Sequence, residues 1–152
     1  MEHALVMAQA QLDQLRDAKK RQAPQDLVGA IPYLEFLGVT VREEADGVLL
    51  CRLPFQDQLV GNPTLPALHG GVIGGLLESV ALLQLIWSME SPVLPRTINT
   101  SIDYLRSGQA KDTFARGRIT KQGRRVANVR AEAWQDDPNK PIAAAHGHFL
   151  LG

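Results

Sequence analysis

A chain of 152 residues falls within the usual size of one domain and is long enough to bury a real core. Sixteen basic residues offset sixteen acidic ones, which excludes a global field that would draw in nucleic acid or an anionic membrane. Hydrophobic residues at 45% and charged residues at 21% are ordinary for a soluble globular domain, and a single cysteine, Cys51, excludes an intrachain disulfide.

The opening stretch "MEHALVMAQAQLDQLRDAKKRQ" turns polar after a few residues, unlike a secretory signal. Leu5, Met7, Ala8, Leu12 and Leu15 recur in it at helical spacing, predicting an amphipathic helix from Glu2 to Arg21 that Pro24 ends. We read residues 1–25 as this helix and 26–152 as the main domain. "DLVGAIPYLEFLG" predicts a short helix or turn stopping at Gly38. "VTVREE" and "GVLLCRLPF", joined by "ADG", predict a hairpin. Cys51 lies in this alternating stretch and reads as a packing thiol. A Gly/Pro-rich loop, "QDQLVGNPTLPALHGG", leads into a long apolar helix ending near Glu90. Four strands follow, within "RTINTSIDYLRS", "DTFARGRITKQG", "RRVANVRAEAWQD" and "PIAAAHGHFLLG", separated by turn signals that carry Asp112, Asp136 and Asp137.

Short turns imply antiparallel pairing. A helix apolar on nearly every side has to be surrounded, and a curved antiparallel sheet around it does so. The expectation is an α+β fold with the long helix as its core. Its apolar run, Val72 to Trp87, holds Glu78 and Gln84 and falls short of the roughly 20 residues a membrane span needs. The expected location is the cytoplasm.

The long helix accepts two features that a buried helix should avoid. Gly71, Gly74 and Gly75 crowd its start, each costing about 1 kcal/mol relative to alanine. Glu78 then places a carboxylate on the face those glycines share. Bare glycine lets a ligand or another backbone approach closely. The free N–H groups of the helix start suit a carbonyl oxygen or oxyanion. His69 and Gly70 precede that start, where His69 can fix the turn. Gly71 and Glu78 are seven residues apart, about 10 Å along the axis, and a glutamate leaning back recovers about half of that. One helix cannot bring both groups to one carbonyl, so cooperation between them requires two chains across a two-fold axis. The alternative is a solvated helix-edge carboxylate beside glycines that only allow close packing.

"LHGGVIGGLLE" resembles the signature of hotdog-fold acyl-CoA thioesterases of the phenylacetic-acid-degradation (PaaI-like) type: H-G-G, then an apolar helix with an acid nine positions after the histidine. The resemblance runs from about Ile31 to the C-terminus and includes "TINTSIDYLRSG" and "GRRVANVRAEAW". It implies a hotdog fold and hydrolysis of an acyl-CoA to free acid and CoA, without metal or cofactor. Glu78 would be nucleophile or general base, and the Gly71 N–H would polarise the carbonyl oxygen. The site would lie in a homodimer interface, with dimers pairing into a homotetramer. Family members place Asn or Gln six residues before the histidine. Here that position is Pro63, and Asn62 stands one residue earlier. A polar residue often follows the acid by four positions, where this chain has Leu82. Thr97 aligns with a strand hydroxyl that in some members orients the attacking water.

The resemblance also makes Arg124 and Arg125 candidate anchors for CoA, with a solvated hairpin as the alternative, and Arg106 a further candidate. Gly70 would touch substrate, and Leu82, Leu85 and "GNPTLPAL" would line an apolar tunnel. His146 and His148 share a strand face, but no third ligand at metal-binding spacing supports a metal. Two rival readings stay open: a hotdog dehydratase or hydratase using His69, and a non-catalytic acyl-CoA binding module that would not need Glu78.

Overall fold

The computed structural model describes residues 1–90 and 93–152. Helix α1 spans Glu2–Lys20. Only its second half packs: Leu15 and Ala18 are buried, Gln11 Nε2 donates to the Ala30 carbonyl, and Lys19 Nζ donates to the Met89 carbonyl. Leu5, Val6 and Met7 are exposed. A 3-10 segment, Pro24–Ala30, leads to α2, Pro32–Leu37, which Gly38 closes at φ 71° as the sequence predicts.

The expected hairpin is β1, Thr40–Glu43, with β2, Leu49–Leu53. Cys51 is wholly buried in it, and burial pushes its thiol up to about 12. The Gly/Pro segment is more ordered than the loop expected of it. It forms a small hairpin of β3, Val60–Asn62, and β4, Ala67–Leu68, packed tightly on the start of the long helix. Helix α3 then runs Gly70–Ser88, two residues short of the expected end. The remaining strands are β5, Arg96–Tyr104; β6, Thr113–Gln122; β7, Val126–Trp134; and β8, Ala143–Leu150.

The six-stranded sheet has the order β1-β2-β6-β7-β8-β5, antiparallel throughout. It wraps α3, whose Leu76, Leu77, Leu83 and Leu85 are fully buried, each worth about 1.5–3 kcal/mol over exposure. The strands leave room for them. Apart from Val129 and Phe149, the inner faces of β7 and β8 are small, built from Ala127, Ala131, Ala133, Ala143, Ala145 and Gly147, while Arg130 and His146 point outward. β5 does not pair with β6, its successor in sequence. The connection after it is held by Leu105 and Arg106 N–H groups on the Ile142 carbonyl and by Leu68 N–H on the Gly108 carbonyl, so β5 lies on β8 as a sheet edge.

Candidate active site

The start of α3 is fixed before any ligand is considered. His69 is its N-cap, and His69 Nδ1 accepts the Gly71 N–H at 2.8 Å. His69 is held in turn by its N–H on the Leu59 carbonyl and by Gly61, where any Cβ would stand 2.7 Å from the His69 Cα. The donor that the sequence reading assigned to Gly71 is therefore engaged by the histidine that fixes the turn. The Gly70 N–H, one residue earlier, has no recorded partner among the described residues.

The glycine face is not bare, as the sequence suggested. Tyr104 lies over Gly70 and Gly74, donating its hydroxyl to the Gly70 carbonyl at 2.8 Å, while Ile102 closes on Gly74 and Tyr33 on Gly75. Side chains of this chain occupy the room the glycines leave, and both tyrosines remain partly exposed. Sequence reasoning missed them. The signal was there in "SIDY", whose alternation aims Ile102 and Tyr104 at one face.

One turn further, Glu78 is half-buried and accepts the Thr97 hydroxyl on Oε1 at 2.7 Å. Helix and strand thus bring together the two residues singled out nineteen positions apart. A bulge makes this possible. The β5–β8 register pairs Thr97 with Phe149 and Asn99 with His148, leaving Ile98 extra and exposed. Thr97, Thr100, Ile102 and Tyr104 all then face α3, although strict alternation would put Thr97 on the other side.

Other candidates fall elsewhere. Asn62 is exposed and turns its Oδ1 to the Thr64 N–H at 3.0 Å, a turn-forming role; no contact with Glu78 or Thr97 is recorded among the described residues. Leu82 is half-buried beside Ala81 and Phe149, but Leu85 is wholly enclosed by that cluster and faces no opening. Arg124 and Arg125 are exposed at the β6–β7 turn. Arg106 donates to the Pro141 carbonyl at 2.8 Å and so braces the β5–β6 connection. His148 shares a 2.7 Å bond with Asn99 on the outer sheet face, where His146 is exposed. Asp112 accepts from the Phe55 N–H and from Arg52, which hold its carboxyl below the usual range.

Residues 65–142, half of the chain and all of α3, match the thioesterase superfamily. The chain belongs to the thioesterase superfamily. Its fold and family are those of thioester hydrolases of the hotdog type, as the H-G-G signature implied. A crystallised protein of Chromobacterium violaceum is 44% identical to this thioesterase, with a TM-score of 0.76 over 92% of this chain and 97% of that one. A phenylacetic acid degradation-related protein of Ralstonia eutropha is 27% identical, with a TM-score of 0.71 over 80% of this chain and 90% of its own. YigI of Salmonella typhimurium, a medium/long-chain acyl-CoA thioesterase, is 27% identical over 135 residues, 80% of this chain and 86% of YigI. The alignments with the curated relatives span 63% of the length of a putative esterase of Halobacterium salinarum and 86% of YigI.

Proposed function

We propose that this thioesterase hydrolyses an acyl-CoA, with Glu78 as the acting carboxylate in a seam between two copies of the chain. The Thr97–Glu78 bond at 2.7 Å is the observation that carries the reading. A carboxylate at a helix edge in water has no need of a strand hydroxyl brought into phase by a bulge. Thr97 fixes Oε1, which leaves Oε2 as the oxygen that acts.

The reacting carbonyl sits against the N–H groups that open α3. Gly70 N–H is the available donor, and Gly71, bound to His69, sets the geometry of the turn. Seven or eight residues separate these amides from Glu78 on one helix, about 10–12 Å, so the amide and the carboxylate that serve one carbonyl come from different protomers.

β5 supports such a pairing. It is a nine-residue edge strand whose outer ladder is unpaired among the described residues, and Ile98 and Tyr104 on it and Leu105 just after it are each more than half exposed. Phe36 and Leu65 add exposed apolar surface on α2 and the β3–β4 turn. Arg124 and Arg125 remain the proposed phosphate anchors for the CoA moiety. A hydratase reading would need a histidine aimed at substrate, whereas His69 turns Nδ1 back on its own helix.

Glu78→Gln tests the reading in a thiol-trapping assay against a panel of acyl-CoAs, with molar mass followed by light scattering. Loss of turnover by about 10²-fold or more in a protein of unchanged mass and stability supports it. A Gln variant as active as the native chain removes Glu78 from the chemistry, and a strictly monomeric, fully active enzyme removes the shared site.

A further inference from the structure

Gly70 is the joint between two peptide groups at the start of α3, and the polar atoms around it are engaged with one exception. The His69 carbonyl accepts the Val72 N–H at 3.0 Å and the Ile73 N–H at 3.4 Å. The Gly71 N–H goes to His69 Nδ1 at 2.8 Å, and the Gly70 carbonyl takes the Tyr104 hydroxyl at 2.8 Å. The Gly70 N–H alone has no recorded partner among the described residues. Of these bonds, only the one from Tyr104 comes from outside residues 69–73.

That bond is not needed to satisfy either partner. As the first residue of a helix, Gly70 already offers its carbonyl to the N–H four residues on. Tyr104 is 55% exposed, so its hydroxyl has water within reach. The sequence nevertheless makes room for the contact. A Cβ on Gly74 would stand 2.8 Å from Ile102 Cδ1 and 3.3 Å from the Tyr104 hydroxyl, so a side chain there would drive both off the helix. The Tyr104 backbone is fixed as well. It pairs with Ala143 at the end of β5, and the next two N–H groups, of Leu105 and Arg106, both donate to the Ile142 carbonyl.

Gly70 has no Cβ to restrict its own dihedrals. Its direction has to be imposed from outside, and the peptide that follows it is pinned at its oxygen by Tyr104 and at its N–H by His69. An amide aimed in advance at a developing oxyanion needs no reorganisation as the charge forms. β5 then holds both groups of the proposed site: Thr97 near its start bonds Glu78, and Tyr104 at its end bonds Gly70.

Resting on the reading that the Gly70 amide and Glu78 serve one thioester carbonyl, we propose that Tyr104 is a positioning residue for the reaction. Its hydroxyl clamps the Gly70–Gly71 peptide and so keeps the Gly70 N–H aimed at the carbonyl oxygen. Tyr104 itself touches no reacting atom.

Tyr104→Phe keeps the ring over Gly70 and Gly74 and removes only the hydroxyl. It is compared with the native enzyme and with Glu78→Gln by steady-state kinetics, by urea denaturation and by binding of an S-alkyl-CoA thioether, which lacks the carbonyl. The expected result is a fall of about 10-fold in kcat, with KM and thioether Kd within about twofold and the denaturation midpoint unchanged. A hydroxyl that only braced the fold would lower the midpoint and leave the kcat of the folded enzyme alone. The proposal is overturned if Tyr104→Phe keeps native kcat while Glu78→Gln is inactive. It is overturned too if the loss falls on KM and thioether binding instead of kcat, or if it tracks a lower midpoint. An active Glu78→Gln would instead overturn the reading on which the proposal rests.

Discussion

The two halves of α3 treat polar groups in opposite ways. In the C-terminal half Gln84 is buried and fully used: Oε1 accepts the Leu49 N–H at 2.8 Å, and Nε2 donates to the Gly47 carbonyl at 3.0 Å and to Ser88 Oγ at 2.9 Å. In the N-terminal half Glu78 is half-buried with one partner among the described residues, and the facing strand holds a hydroxyl with none among them. Both halves come from one apolar stretch of sequence. Polar atoms spent inside the chain mark the half that holds the fold together, and polar atoms left over mark the half to which the proposed function assigns the substrate.

Substitutions in the two halves should separate activity from stability. Glu78→Gln should cost about 10²-fold or more in kcat, with a denaturation midpoint close to native. Gln84→Leu should do the reverse. It strands the Leu49 N–H at a wholly buried position and should cost about 2 kcal/mol, seen in urea or thermal melts, while the folded fraction keeps native kcat. If Gln84→Leu abolished turnover in a stably folded protein, the contrast between the halves would be wrong.

Thr97→Val sharpens the same comparison with a smaller effect. It removes the hydroxyl that holds Oε1 but leaves the carboxylate, so kcat should fall about tenfold, less than for Glu78→Gln. Combined with Glu78→Gln it should add little, because the bond it breaks serves only that carboxylate. Additive losses in the double variant would mean that Thr97 acts on substrate independently of Glu78.

Much of this arrangement could be read from sequence because period and chemistry agreed. Apolar residues on every side of 72–87 meant an enclosed helix, turn residues at regular intervals meant antiparallel strands, and an acid on a glycine face stood out against both. What escaped the sequence had a physical cause in each case. The β5 bulge shifts the phase by one residue, and nothing in "RTINTSIDY" says where the extra residue lies, so Thr97 and Thr100 looked as though they faced opposite sides. Tyr33 reaches Gly75 from a distant element, which local spacing cannot report, and for Tyr104 the alternation gives the strand face but not the glycines it meets. His69 takes the Gly71 N–H because a histidine at an N-cap competes with any ligand for the amides it caps. The edge position of β5 follows from backbone bonds to Ile142 and Leu68, well away from the strand itself.

The smallest expected effect belongs to Asp112, whose partners are Arg52 and Phe55, and provides a control for both halves of α3. Its carboxylate accepts the Phe55 N–H at 2.8 Å and pairs with Arg52 at 2.6 Å, which hold it below its ordinary value of 3.8. A depressed folded value means that the contribution to stability is fully present above the unfolded value and is lost as pH falls through the folded one. Both side chains are more than a third exposed, so solvent screening limits the contribution to less than about 1 kcal/mol. Asp112→Asn should therefore lower the urea midpoint slightly at pH 7, with the difference from native shrinking below about pH 4 as the native carboxylate takes up its proton. Turnover at pH 7 should not change. A difference that persisted undiminished at pH 2 would mean that packing of the side chain, and not its charge, ties β2 to the β5–β6 connection.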